Sequence, residues 1–140
     1  MKCFLLIVTT LATLAYIRAQ GEPGYCRCAA FVSFRHTEIM TFELPAVDIT
    51  DCQSHDQCQT RCTKEMMEMT NNMDLWSTMG NDTVGQAFCA ELRKHSFLFI
   101  HNSYIHGYYE VCGGPWEYCG LDSQQELCCD YGEQVHCISK

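Results

Sequence analysis

Cysteine is the residue type with the most chemistry to offer in this chain, which has 12 cysteines among 140 residues. In an oxidising compartment thiols pair as disulfides, whereas in a reducing one they more often bind metal or act in catalysis. The compartment therefore decides how these residues are interpreted, and the N-terminus is the place to look for it.

The N-terminus has the pattern of a secretory signal peptide. Lys2 precedes an uncharged, mostly apolar run over residues 4–14, and residues 15–19 end in the small side chain of Ala19. This run is too short to span a bilayer, and no later stretch approaches the roughly 20 apolar residues that a membrane helix needs. We expect cleavage after Ala19, with Ala15 as the alternative, and a single secreted extracellular domain over residues 20–140.

Loss of Cys3 with the leader leaves an odd number of cysteines. Up to five intrachain disulfides are expected, with one thiol that is free, capped or shared with a second chain as a disulfide-linked homodimer. The connectivity stays open, although the adjacent Cys128 and Cys129 should bond to different partners. The candidate disulfide residues are Cys26, Cys28, Cys52, Cys58, Cys62, Cys89, Cys112, Cys119, Cys128, Cys129 and Cys137.

Zinc is the alternative use of these side chains. A structural zinc site usually joins two closely spaced cysteine pairs, and Cys58 with Cys62 forms one such pair. Cys26 with Cys28, or His101 with His106, would be further donors. A secreted context favours oxidation instead, so we expect no metal and no cofactor.

The charge limits the partners. The whole chain has a formal charge of −8, which becomes −10 when Lys2 and Arg18 leave with the leader. An acidic surface repels nucleic acid and anionic lipid, so neither is expected as a partner. A cationic partner and simple solubility are both compatible with this charge.

Two pairs of segments show strand patterns. Residues 29–34 and 39–44 predict a hairpin, in which Met40, Phe42 and Leu44 share the buried face. Residues 97–100 and 105–111 predict two further strands.

Two helices are predicted between these strand pairs. Ser54 and Gln57 have the spacing of a capping box, and so do Thr83 and Gln86 ahead of a second helix over residues 84–95. After the first cap an apolar stripe continues for about five turns, which predicts that it faces the core. Its members are Cys58, Cys62, Met66, Met69, Met73 and Trp76.

These elements together predict a small disulfide-rich α+β domain, with two helices packed on a small antiparallel sheet. Asn81 begins an Asn-Asp-Thr sequon between the helices, where we expect N-glycosylation in a secreted protein.

The segment Cys52-Gln53-Ser54-His55-Asp56-Gln57-Cys58 resembles the active-site helix of secreted phospholipases A2. The resemblance implies that His55 is the general base and that Asp56 ligates calcium, with Asp122 or Asp130 orienting the histidine. That family also has a glycine-rich calcium loop before this helix, and here no glycine occurs between Gly24 and Gly80. We therefore expect no enzymatic activity, and we interpret the segment as the anchored start of a helix.

A second resemblance covers more of the chain. Its layout is similar to that of small secreted cysteine-rich follicle-cell proteins of insects, which implies a non-enzymatic role in egg-associated or reproductive secretions. The matching features are Cys26, Cys28 and Phe31, then Cys58, Cys62, Cys89 and residues 97–100, and finally Trp116 with residues 126–129.

The expected function is therefore extracellular binding or structure, with an unidentified extracellular protein or receptor as the partner. The first alternative is a toxin or venom component that presents Trp116, Tyr118 and nearby tyrosines to a receptor or channel. The second is a calcium-dependent hydrolase of the phospholipase A2 type, with His55 and Asp56 as its catalytic residues.

Overall fold

The computed structural model describes residues 23–138, so the predicted leader, residues 1–19, lies outside the described residues. The predicted α+β class is confirmed, but strands contribute more residues than helices and form three sheets. Within the described range, no helix is long and apolar enough to cross a membrane. The elements are β1 (Gly24–Phe34), β2 (Thr37–Glu43), β3 (Val47–Ile49), α1 (His55–Met69), β4 (Thr78–Met79), β5 (Asp82–Thr83), α2 (Val84–Lys94), β6 (Phe99–Ser103), β7 (Ile105–Val111), β8 (Glu117–Asp122), β9 (Leu127–Asp130) and β10 (Glu133–Gln134).

The largest sheet has five antiparallel strands in the order β2-β1-β7-β8, with β3 paired to the other end of β1. A smaller sheet joins β10, β9 and β6, and β4 pairs with β5. Both predicted strands after the second helix are present, but they belong to different sheets, because β6 pairs with β9 whereas β7 pairs with β1 and β8.

The predicted β1–β2 hairpin is confirmed, whereas its predicted buried face is wrong for two residues. Met40 pairs with Phe31 and Phe42 pairs with Ala30, so Thr41 is an extra residue in β2. Such a bulge breaks the alternation of side chains, and it leaves Met40 and Phe42 on opposite faces, both exposed. Thr41 is buried instead, and its hydroxyl donates to the Ala30 carbonyl oxygen at 2.9 Å.

Helix α1 is shorter than its stripe predicts. Three consecutive residues, 71–73, adopt positive φ angles and stop the helix soon after Met69. Cys58, Cys62 and Met66 are buried as predicted, and so is Met73 beyond the helix end. Met69 and Trp76 are exposed, so their predicted place in the core is wrong.

The two predicted caps have different outcomes. The Thr83 hydroxyl accepts from the Gln86 N–H at 3.1 Å, so the cap of α2 is confirmed. Ser54 makes no side-chain cap, because its hydroxyl donates to Asp51 Oδ1 at 2.9 Å. The Gln57 side chain turns back to Thr50 rather than to Ser54.

Residues 23–138 contain five disulfides, as predicted, and the adjacent Cys128 and Cys129 bond to different partners. Cys26 and Cys28 are two residues apart on β1, and Cys58 and Cys62 are four residues apart on α1, so each pair lies on one face of its element. Two neighbouring disulfides therefore join α1 to β1. The bridges are Cys26–Cys58, Cys28–Cys62, Cys52–Cys112, Cys89–Cys129 and Cys128–Cys137.

Candidate binding surface

The five-stranded sheet has one face covered by α1 and one face that no helix within residues 23–138 covers. Cys26 and Cys28 of β1 point to α1, so the intervening Arg27 projects from the other face, together with its cross-strand partner Glu110. Helix α1 packs on β1, β7 and β8 from the covered side only. We call the other side the open face; it consists of Tyr25, Arg27, Phe31, Glu38, Met40, Glu43, His106, Tyr108, Glu110, Trp116, Tyr118 and Asp122.

Aromatic rings form a connected row across the open face. The Phe31 ring centroid lies 4.8 Å from that of Tyr108 and 5.5 Å from that of Trp116, and Tyr108 lies 5.8 Å from Tyr118, all edge to face. This is the geometry that aromatic quadrupoles favour, so each ring fixes its neighbour. Phe31 is buried beneath the row, whereas 46 % of Tyr118 is exposed.

A charge cluster lies at one end of this row. Arg27 Nε lies 2.6 Å from Glu43 Oε1, and Arg27 Nη1 lies 2.6 Å from Glu110 Oε2. The guanidinium carbon also lies 5.1 Å from the centre of the Trp116 ring, within the range of a cation–π contact. One cation is thus held between two carboxylates and an aromatic face.

A second polar group lies at the other end. His106 Nδ1 lies 2.6 Å from Asp122 Oδ1, across the β7–β8 pair. Desolvation and a hydrogen bond to Asp122 raise the pKa of Tyr118 to about 12. Partial burial acts to raise the pKa of Asp122, but hydrogen bonds from His106 and Tyr118 outweigh it and lower this pKa below its ordinary value of 3.8.

We expect Asp122→Asn to destabilise the protein at neutral pH but not in strong acid. A carboxyl whose pKa is lowered by folding contributes stability above its ordinary pKa and loses it as the pH falls through the folded value. Urea unfolding of both proteins at a series of pH values from 7 downward should therefore show a difference that begins to shrink near pH 3.8 and disappears once the pH is below the lower pKa of the folded state. Asp130→Asn is the control for the loss of one carboxylate, and a difference that persists unchanged into strong acid would contradict the expectation.

The candidate catalytic residues lie apart from the open face, at the start of α1. His55 Nδ1 lies 3.1 Å from Glu117 Oε1, and the Tyr109 hydroxyl donates to Glu117 Oε2 at 3.0 Å. Asp56 is exposed in the first turn. Neither Asp122 nor Asp130 orients His55, because Asp122 pairs with His106 and Asp130 lies on β9 in another sheet.

Glu117 was missed by sequence reasoning, since only the pairing of β8 with β7 brings it to the start of α1. The cysteines that the alternative zinc site would have used are oxidised to the Cys26–Cys58 and Cys28–Cys62 disulfides, so their sulfurs are not available as thiolate ligands. His101 and His106 lie on strands of different sheets.

Cys119 is the cysteine left without a disulfide among the described residues. Only 5 % of it is exposed, and burial raises the pKa of its thiol. A disulfide to a second chain would therefore require local opening of β8.

Asn81 is exposed in the turn between β4 and β5, where a glycan has access to solvent.

Comparison with protein-family models, with curated proteins and with solved structures gave no match for this chain. Functional reasoning therefore depends on the geometry of the open face and of the start of α1.

Proposed function

We propose that this protein is secreted and acts outside the cell by binding, without catalysis, and that the open face is its binding surface. The connected row from Phe31 through Tyr108 to Tyr118 is the observation that supports this most directly. Aromatic side chains supply large contact areas at low entropic cost, and they are enriched among the residues that dominate binding energy.

The covered side of the sheet supports this role because it holds the open face rigid. Two disulfides join β1 to α1 directly behind Arg27 and its neighbours. A surface that is already ordered before binding loses less conformational entropy when a partner arrives. An acidic, disulfide-bonded chain with a sequon at Asn81 also suits the extracellular space.

Site-specific crosslinking tests this function. We expect a photo-crosslinking amino acid in place of Tyr118 to capture a discrete partner from the extracellular fluid of the source tissue, as a shifted band identified by mass spectrometry. The same replacement at Tyr131, which is exposed outside the open face, is the matched control. Capture at neither position, or equal capture at both, would contradict a binding role for the open face.

The tissue of expression distinguishes two forms of this proposal. A role in egg-associated or reproductive secretions requires expression in reproductive tissue. A toxin that presents the half-buried ring of Trp116 and the exposed ring of Tyr118 to a receptor requires expression in a venom or salivary gland.

The proximity of His55 to Glu117 favours a hydrolase as a second candidate, since a carboxylate beside a histidine is a common feature of general bases. We expect the purified chain to show no calcium-dependent turnover of phospholipid vesicles. Turnover that requires calcium and is abolished by His55→Gln would replace the binding proposal with a hydrolase.

A further inference from the structure

Glu110 is the most deeply buried charged side chain of the open face. Only 2 % of it is exposed, and its Oε2 accepts from Arg27. Its other carboxylate oxygen, Oε1, is also buried and has no hydrogen-bond partner within residues 23–138. A buried carboxylate oxygen without a donor destabilises the folded state, because it has lost its hydrogen bonds to water and no protein hydrogen bond replaces them.

The free oxygen lies close to Gly113. A Cβ on Gly113 would lie 3.9 Å from Glu110 Oε1 and 3.0 Å from the Tyr25 hydroxyl oxygen. Gly113 is exposed and has a φ of +75°, a conformation that strongly favours glycine. Oε1 therefore lies close to an exposed residue that has no side chain, and the Trp116 ring lies nearby over Arg27, which donates to the other oxygen of Glu110.

The charge around this oxygen favours a cationic donor over a neutral one. Arg27 is shared by Glu43 and Glu110, so two carboxylates face one guanidinium. Glu38 lies on the same face beside Tyr108, and the whole chain carries a formal charge of −8. A positively charged N–H donor gains from these carboxylates, and it forms a stronger hydrogen bond to an ionised acceptor.

Trp116 adds a second recognition element for a cation. Its ring already contacts the Arg27 guanidinium, and Phe31 holds the ring edge to face. Tryptophan is the aromatic side chain that attracts cations most strongly. A carboxylate oxygen without a donor and a nearby aromatic ring both favour a cationic N–H group, such as that of lysine or arginine.

We propose that the Gly113 end of the open face binds a lysine or arginine side chain of a basic peptide segment in a partner protein, with its N–H group donating to Glu110 Oε1 beside the Trp116 ring. This inference rests on the proposed binding function and names the class of partner. A bound water molecule on Oε1 is the competing occupant, and the experiment distinguishes the two.

Calorimetric titration of the mature, disulfide-bonded protein with blocked hexalysine and hexa-arginine peptides tests the proposal. We expect both peptides to bind, more weakly as salt is raised, and blocked hexaserine not to bind. Glu110→Gln should weaken binding about tenfold or more, since it removes a charge-assisted hydrogen bond. Glu133→Gln, which removes an exposed charge in the smaller sheet, should change it less than about twofold.

Two further variants keep the proposal testable if Glu110→Gln disturbs the fold. Gly113→Asn, a residue type that occasionally adopts a positive φ, places a side chain close to Oε1 at some cost in strain, so it should abolish binding while circular dichroism shows that the fold is retained. Trp116→Leu removes the aromatic ring but keeps an apolar side chain and should weaken binding about threefold, whereas Trp76→Leu, outside the open face, should not.

The proposal is overturned if neither basic peptide binds, which assigns water to Oε1, or if Glu110→Gln and Glu133→Gln weaken binding equally. Capture of a partner by the crosslinker at Tyr118 without binding of either basic peptide would leave the binding function standing and refute this inference alone. Failure of both experiments would refute both.

Discussion

Removal of the Cys28–Cys62 disulfide by Cys28→Ala with Cys62→Ala should lower the free energy of unfolding by about 4 kcal/mol. The bridge spans 34 residues, but the parallel Cys26–Cys58 bridge stays in place and already restricts the unfolded chain, so loop closure contributes only about 2 kcal/mol of this loss. Both cysteines are also buried between β1 and α1, so their loss removes packing on the covered side. Urea unfolding at pH 7 under non-reducing conditions measures the change.

The matched control is Cys128→Ala with Cys137→Ala. This bridge spans nine residues and should cost about 2.5 kcal/mol by the same loop argument. Equal losses of unfolding free energy in the two variants would contradict this expectation. They would indicate that strain or residual structure in the unfolded state, rather than the disulfide loops, sets the stability difference.

Truncation of Leu92 should have the next largest effect. Leu92→Ala is expected to lower the free energy of unfolding by about 3 kcal/mol, because the residue is fully buried and its removal leaves a cavity. The side chain belongs to the larger core cluster, which also contains Phe88, Ile100 and Ile105, so the cavity would lie between α2 and two strands. Denaturant unfolding monitored by circular dichroism is the measurement.

Leu98→Ala is the control with identical chemistry. Leu98 is half-buried and outside both core clusters, so its truncation removes little apolar contact and should cost less than about 1 kcal/mol. A loss of unfolding free energy for Leu98→Ala as large as that for Leu92→Ala would contradict the assignment of Leu98 to a position outside the two core clusters.

Patterns confined to neighbouring residues predicted most of the local structure. The hairpin of β1 and β2, the start of α2 with its Thr83 cap, and the buried stripe of Cys58, Cys62 and Met66 all depend on periodicity or capping within a few residues. Local reasoning failed where the backbone departed from the regular period. The bulge at Thr41 and the left-handed residues 71–73 are two such departures.

The candidate sites were less accessible to sequence reasoning because they join distant segments. Trp116 and Tyr118 stood out as contact residues by their type, and Tyr108 by its place in a tyrosine cluster. Nothing in the sequence indicated that Arg27 would lie over Trp116, or that Glu110 would be buried with one oxygen unpaired. Glu117 lies next to His55 because β8 pairs with β7, and no sequence motif links the two residues.

Composition and short-range pattern were thus sufficient for the α+β class, the two helices and five expected disulfides, because these follow from residue type and local period. Which cysteines pair, which face of the sheet stays open and which carboxylate lacks a donor depended on strand order and register. Those properties arise when β1 lies between β2 and β7 with α1 across its back. Strand order and register depend on contacts between residues that are far apart in the sequence, so no local sequence pattern predicts them.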